Sequence, residues 1–195
     1  MLILTWIVIL SLSYFIGSIP NGLIFGKMIW KVDLREYGSG NIGATNAWRT
    51  LGKKAGLLIF ALDFLKGVIP VLLAESFIGT SWSMVFAGFM AIVGHVFSIF
   101  TLFEGGKAVA TGLGVITVMM PKPALIVFLV WLAIVLITRY VSLGSIVASI
   151  LVPILAIFFE YPQPFVDFGV FAATLIVLRH RPNIKRLFNG TENKI

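Results

Sequence analysis

At 195 residues, with 59% of them hydrophobic, 12% charged and a mean hydropathy of +1.04, the chain carries more apolar surface than a soluble domain of that length has interior to hide. Lipid must solvate most of it, which excludes a water-soluble domain and predicts an all-α polytopic membrane protein with one integral membrane domain over 1–195. The formal net charge of +7 does not indicate nucleic acid, because the basic residues stand beside apolar runs, and the absence of cysteine removes disulfides, thiolate metal sites and thiol nucleophiles.

The first apolar run, Leu2 to Ile29, lacks the basic start and cleavage site of a signal peptide and reads as a retained span. Within it, Gly17-Ser18-Ile19-Pro20-Asn21-Gly22 should break or kink the helix, which is tolerated at that depth only against protein or a cavity. A polar stretch from Lys31 to Lys54 follows. It holds Gly38-Ser39-Gly40-Asn41-Ile42-Gly43-Ala44-Thr45-Asn46, where glycines permit sharp turns and backbone N–H groups and short polar side chains can converge on one point. Such a concavity binds an anion, best where a helix begins, and Ala44 to Leu51 reads as that helix. Phosphate is the natural guest. The letters Gly38-x-Gly40-x-x-Gly43 match the dinucleotide fingerprint but lack its preceding strand, and Ala44-Thr45 stands where a Walker A loop needs Lys followed by a hydroxyl residue.

Ala55 to Ala74 is a second span, in which Asp63 and Lys66 share a helix face and read as a structural ion pair or a snorkelling lysine. Ser83 to Leu102 is a third, with His95 beside Gly94, where a functional role and close helix packing both stay open. Glu104-Gly105-Gly106-Lys107 breaks the pattern. Ala108 to Met120 is short for a crossing and reads as a half-helix whose start is a second anion-seeking feature, ended by Pro121-Lys122-Pro123. Ala124 to Thr138, Leu143 to Phe159 and Phe165 to Leu178 complete about seven segments, one or two of them interrupted or short. With the N-terminus outside, fourteen of the fifteen Lys and Arg residues fall in or at the cytoplasmic side and only Lys122 lies outside. Three polar clusters then emerge on one face: the Gly38 loop, the Glu104-to-Lys107 turn and the tail from Arg179.

That tail, taken alone, reads as a basic segment held to anionic headgroups. Together the three clusters resemble the acyl-phosphate:glycerol-3-phosphate acyltransferases of bacteria, the PlsY family. The resemblance rests on Asp33-x-Arg35-x-x-Gly38-Ser39-Gly40-Asn41-x-Gly43-Ala44-Thr45-Asn46, then Gly105-Gly106-Lys107-x-x-Ala110-Thr111, then His180-Arg181-x-Asn183-Ile184-x-Arg186-Leu187-x-x-Gly190-x-Glu192, in that order. It implies transfer of a fatty acyl group from acyl phosphate to the 1-position of glycerol 3-phosphate, giving lysophosphatidic acid and phosphate, the first step of bacterial phospholipid synthesis. It also implies seven spans in the bacterial inner membrane, an outside N-terminus, a site at the cytoplasmic face, and no cofactor, metal or coenzyme A. A monomer is the default assembly. Two positions depart from the family's habit: Ala108 stands where Gly is common after the lysine, and Ser98 where Pro is common after Gly-His.

Given two phosphorylated substrates, Ser39, Gly40, Asn41, Gly43, Thr45 and Asn46 are expected to hold the acyl-phosphate headgroup through backbone N–H groups and short side chains. Lys107, after Gly105 and Gly106, would neutralise phosphate, and Arg49 would clamp glycerol 3-phosphate bidentately. Asn183 would orient the substrate hydroxyl, with Ser142 and Ser145 as further contacts. An acyl phosphate has a good leaving group, so no covalent intermediate is required. The hydroxyl proton goes either to His180 or to the donor's own phosphate, the second route being favoured. Glu192 is assigned to pairing with the tail's own cations. The alternative from another class is a transporter of a small phosphorylated solute, since interrupted helices mark transporters too, but charged residues gather at one face rather than at mid-bilayer. An acyl-CoA-dependent acyltransferase is disfavoured, because Phe100 and Lys185 occupy the aspartate position of a His-x-x-x-x-Asp pair.

Overall fold

The computed structural model describes residues 2–195 as helices joined by short turns, with no strand among the described residues. The helices are α1 (Leu2–Ser18), α2 (Asn21–Trp30), α3 (Ala44–Leu51), α4 (Lys53–Phe77), α5 (Ser81–Val96), α6 (Val109–Met119), α7 (Pro121–Thr138), α8 (Val141–Phe158), α9 (Gln163–Arg179) and α10 (Arg181–Phe188). Single 3-10 turns sit at Leu34–Glu36 and Ile99–Thr101. Four stretches are long and apolar enough to cross a membrane, namely α4, α5 with its 3-10 extension, α7 and α8, and the α1–α2 pair, bent by 44°, makes a fifth. The seven apolar segments expected from sequence are all helical, but α6 has 11 residues, about 16 Å at 1.5 Å per residue, and α9 has 17. By packing, the chain divides into one compact unit running to Val115 and another from Ile116 to Ile195.

In the first unit α1 packs along α5 through small residues. Gly17 lies against the Ala91 backbone and Gly94 against the Tyr14 carbonyl and Ser18, so a Cβ at either glycine would push the helices apart. The first half of α6 meets α4 in the same way, Gly67 against the Thr111 carbonyl and Gly114 against that of Phe64. The break between α1 and α2 falls at Ile19-Pro20, as the sequence predicts, and it frees backbone acceptors that lipid cannot satisfy. Lys66 supplies a donor: its Nζ lies 2.8 Å from the Ile19 carbonyl and 3.1 Å from Asp63 Oδ1, which also accepts from Asn21 Nδ2 at 2.9 Å. The Asp63–Lys66 pair is therefore a buried structural clamp on the broken helix.

In the second unit α8 packs between α7 and α9. Gly144 lies against Trp131 and Gly169 against the Pro153 backbone. Pro121-Lys122-Pro123 opens α7 instead of only ending α6, because proline at the first helical positions lacks an N–H that would be unpartnered there anyway. The last residues return to the start of α8: the Ile195 N–H donates to the Arg139 carbonyl at 3.1 Å, and Arg139 Nε donates to the Ile195 carbonyl at 2.8 Å.

Candidate functional site

The first polar loop hangs from Leu34, which is fully buried with Ala47, Ala55 and Ile59. Ahead of it, Asp33 caps the 3-10 turn, accepting from the Arg35 N–H at 3.0 Å. The same carboxylate takes Arg35 Nη2 at 2.6 Å and Lys27 Nζ at 2.9 Å. The Arg35 guanidinium, aided by Lys27, holds the Asp33 carboxyl well below the usual carboxylate range, and Asp33 in turn raises Arg35. Glu104 adds to the field on Arg35, so the second polar turn lies on the same side of this unit as the first loop.

Asn46 holds the loop from inside. Its Oδ1 accepts from the Ser39 N–H at 2.9 Å, and its Nδ2 donates to the carbonyls of Leu34 and Tyr37, each at 3.0 Å. Gly38 and Gly40 turn with φ of +60° and +70°, and a side chain at Gly38 would strike the Asn46 carboxamide. Asn41 Oδ1 accepts from the Gly43 N–H at 2.9 Å, and the Gly40 N–H donates to Tyr37 at 3.0 Å. This corrects one expectation: the backbone N–H groups of Ser39, Gly40 and Gly43 donate within the loop, so they shape it and do not face an anion. What the loop offers instead is the exposed Ser39 hydroxyl and the start of α3, where Gly43 caps without any side-chain bond. Thr45 and Arg49, half-buried and one turn apart, share one face of that helix. Gly22 of α2 rests on the Ile42 carbonyl, which links the loop to the clamped break.

The second turn is moulded on His95. The Gly105 N–H donates to the Val96 carbonyl at 3.0 Å and the Gly106 N–H to the His95 carbonyl at 3.1 Å, and a side chain at Gly106 would strike the imidazole of His95 at Nε2. Thr111 Oγ1, fully buried, is 3.2 Å from His95 Nδ1. Lys107 leaves this turn half-buried, and Ala108 follows with φ of +61°. Glycine adopts that left-handed conformation without cost, which accounts for the family's habit at this position. Ser98, with φ of −69°, sits in backbone that suits the family's proline, but here its hydroxyl donates to the Ser18 carbonyl at 2.5 Å.

The third cluster, in the second unit, is centred on Glu192. Its Oε1 accepts from Ser142 at 2.8 Å and Asn183 Nδ2 at 2.7 Å, and Oε2 from Arg186 Nε at 2.7 Å. Burial pushes this carboxyl up, but its three donors outweigh that and hold it below the ordinary value. Pairing with the tail's own arginine is what the sequence predicts for Glu192. His180, 3% exposed, sits between α9 and α10 with Nδ1 2.7 Å from the Ile176 carbonyl. A carbonyl only accepts, so Nδ1 carries a proton. Ser145 turns its hydroxyl back to the Val141 carbonyl at 2.9 Å, so Ser145 brings only its oxygen's lone pairs to a ligand. Sequence reasoning placed Asp33 and Thr111 in the motif blocks but gave neither a role. The Asp33-x-Arg35 spacing was a legible cap signal, whereas nothing local shows that Thr111 meets His95.

A family model described as glycerol-3-phosphate acyltransferase matches residues 7–190. Over 190 residues the chain is 48% identical to glycerol-3-phosphate acyltransferase 2 of Moorella thermoacetica, covering 97% of each chain. It is 48% identical over 183 residues to the glycerol-3-phosphate acyltransferase of Aquifex aeolicus, covering 93% of this chain and 95% of that one. A crystal structure of PlsY (YgiH), an integral membrane glycerol 3-phosphate acyltransferase, in its glycerol 3-phosphate form superposes with a TM-score of 0.93 at 45% identity over 97% of this chain and 95% of that one. The lysophosphatidic acid form of PlsY gives 0.90 at 43% identity, with the same coverage.

Proposed function

The chain belongs to the glycerol-3-phosphate acyltransferase family, and from that premise we propose that it transfers a fatty acyl group from an acyl phosphate to the 1-hydroxyl of glycerol 3-phosphate. The hydroxyl oxygen attacks the acyl carbonyl carbon, the bond to the phosphate oxygen breaks, and lysophosphatidic acid and inorganic phosphate leave. The Ser39 hydroxyl and the first turn of α3, with Thr45, take the acyl-phosphate headgroup, and Gly43, whose own N–H is held by Asn41, sets where that turn begins. Gly40, Asn41 and Asn46 keep that loop in shape. Lys107, set by Gly105 and Gly106, offsets phosphate charge, and Arg49 clamps glycerol 3-phosphate. Asn183 orients the attacking hydroxyl, Ser142 and Ser145 offer acceptor oxygens, and the proton ends on the departing phosphate, to which His180 is hydrogen-bonded. The enzyme acts as one domain over 1–195 in the bacterial inner membrane; an N-terminus outside and these polar segments at the cytoplasmic face are supported by the distribution of Lys and Arg.

The observation that carries this reading is the first loop, whose own amides fix a helix start that no side chain caps beside an exposed hydroxyl. Detergent-purified protein given acyl phosphate and glycerol 3-phosphate is expected to release phosphate and lysophosphatidic acid one for one, and to give neither with acyl-CoA. Turnover from acyl-CoA without acyl phosphate overturns it. His180→Gln separates the two proton routes: activity within about tenfold of the parent supports proton transfer to the donor phosphate, and a loss of a hundredfold or more makes His180 the base.

A further inference from the structure

Helix α10 carries a face that the transfer reaction does not use. Arg181, Lys185 and Phe188 fall at i, i+4 and i+7, so they line one side of the helix, and all three are exposed, Phe188 to 87%. The opposite side is fixed inward: Asn183 is buried and Arg186 is tied to Glu192, which sets the rotation of the helix about its axis. Among the described residues no carboxylate pairs with Arg181 or Lys185. Only His180 separates α10 from the apolar helix α9, so α10 starts at the level where that helix ends.

We propose that this face of α10 docks on the surface of the bilayer by recognising anionic lipid headgroups, with Phe188 entering the headgroup boundary and Arg181 and Lys185 meeting lipid phosphates. A helix that sets an aromatic residue beside cations on one side is the pattern that lies in a membrane interface. The charge sorting within α10 argues for the anionic surface: of its three cations, the one facing inward has a carboxylate and the two facing outward do not. Each outward cation adds about fivefold to docking on an anionic surface. Because α10 also carries Asn183 and follows His180, docking holds both at a fixed depth.

The chain contains no cysteine, so Asn189→Cys, next to Phe188, gives a single position for an environment-sensitive fluorophore. The full-length labelled protein is placed in nanodiscs of phosphatidylcholine alone or mixed with phosphatidylglycerol. The expected result is a blue-shifted probe, shielded from aqueous iodide, in the phosphatidylglycerol discs, with the response lost near 1 M salt. Lys185→Gln lowers the docked-to-free ratio there about fivefold, and adding Arg181→Gln lowers it about 25-fold in all. Phe188→Ser lowers it in both disc types. Thermal melting of each variant confirms that it is folded, and Lys185→Gln alone suffices as the test if the double variant is not. Equal shielding in both disc types, or a phosphatidylglycerol response that survives removal of the charges, overturns the proposal.

Discussion

In the first unit Asp33 accepts from the backbone and guanidinium of Arg35 and from Lys27, cations whose side chains are 51% and 55% exposed. In the second, Glu192 gathers three donors, Ser142, Asn183 and Arg186, and 2% of its side chain meets solvent against 11% for Asp33, with its one cation, Arg186, 35% exposed. Asp33 has four such bonds, two of them from the Arg35 guanidinium, against three at Glu192, and the surroundings differ more than the count. Water and salt compete for the partners of Asp33, so its ion pairs are of the class that contributes about 0–1 kcal/mol. Nothing replaces Glu192 if it is removed, and its donors include Asn183, which is assigned to the substrate hydroxyl. The comparison teaches that burial, rather than the count of contacts, decides which carboxylate holds its region together.

Removing the buried hub is the strongest way to break that comparison. Glu192→Ala strands three donors and is expected to cost about 3–5 kcal/mol, by analogy with deletion of one member of a buried ion pair, and to abolish turnover as Asn183 loses its anchor. Glu192→Gln keeps an acceptor for Ser142 and Asn183 but turns an amide toward Arg186. It should cost about 1.5–3 kcal/mol, the range for a charge-assisted hydrogen bond. Denaturant unfolding of the two variants checks the order; equal losses would mean that the charge alone, and not the acceptor kept by glutamine, carries the hub.

Asn46 sharpens the comparison as a neutral hub, and its loss should come next in size. Asn46→Ala removes the amide's bonds to the Leu34 carbonyl and the Ser39 N–H and leaves the Tyr37 carbonyl with only the Gly40 N–H, an expected cost of about 1–3 kcal/mol with a rise in KM for acyl phosphate as the loop loosens. Asn46→Asp should be no better, because it restores the acceptor for Ser39 but brings a carboxylate up to two carbonyls. Rescue of KM by Asn46→Asp would show that only the Ser39 bond matters.

These hubs also mark how far the sequence could be read. Apolar runs and the Gly17-to-Gly22 interruption gave the helices and the break, because lipid forces every backbone group into a local bond and leaves few alternatives. The loop at Gly38 was legible for the same local reason, since its glycines, Asn41 and the start of α3 are neighbours in sequence. The direction of its N–H groups was not, because it depends on Asn46 folding back seven residues to take Ser39. Bonds between distant residues were hidden more completely: Ser142 to Glu192, Thr111 to His95 and Lys66 to the Ile19 carbonyl join residues 50, 16 and 47 positions apart. The helix over Arg181–Phe188 was hidden in a tail that reads as uniformly basic, because its two faces differ only once Glu192 has claimed Arg186.

Acid separates the two carboxylates. Both have folded-state pKa values below their ordinary ones, so each contributes stability that is present above the unfolded value, near 4.5 for Glu192 and 3.8 for Asp33, and lost as pH falls through the lower folded value. Melting temperature should therefore hold from neutrality to about pH 5 and fall below it. Glu192→Gln lowers the plateau and flattens that fall.

The smallest effect is expected at Asp33, although its carboxyl is held well below the usual range. The depression of Asp33 comes chiefly from Arg35 and Lys27, cations that solvent reaches, and a shift produced by such partners converts poorly into stability because water takes over when they part. Asp33→Asn keeps an acceptor for the Arg35 N–H and should cost no more than about 1 kcal/mol at low salt, less near 1 M salt, where the Debye length shrinks to about 3 Å. Its melting curve against pH should parallel the parent's, whereas that of Glu192→Gln does not. If Asp33→Asn instead flattens the acid limb as much as Glu192→Gln does, the hub with exposed partners is as strong as the buried one, and how far a carboxylate's pKa is depressed rather than its burial is the measure of what it holds.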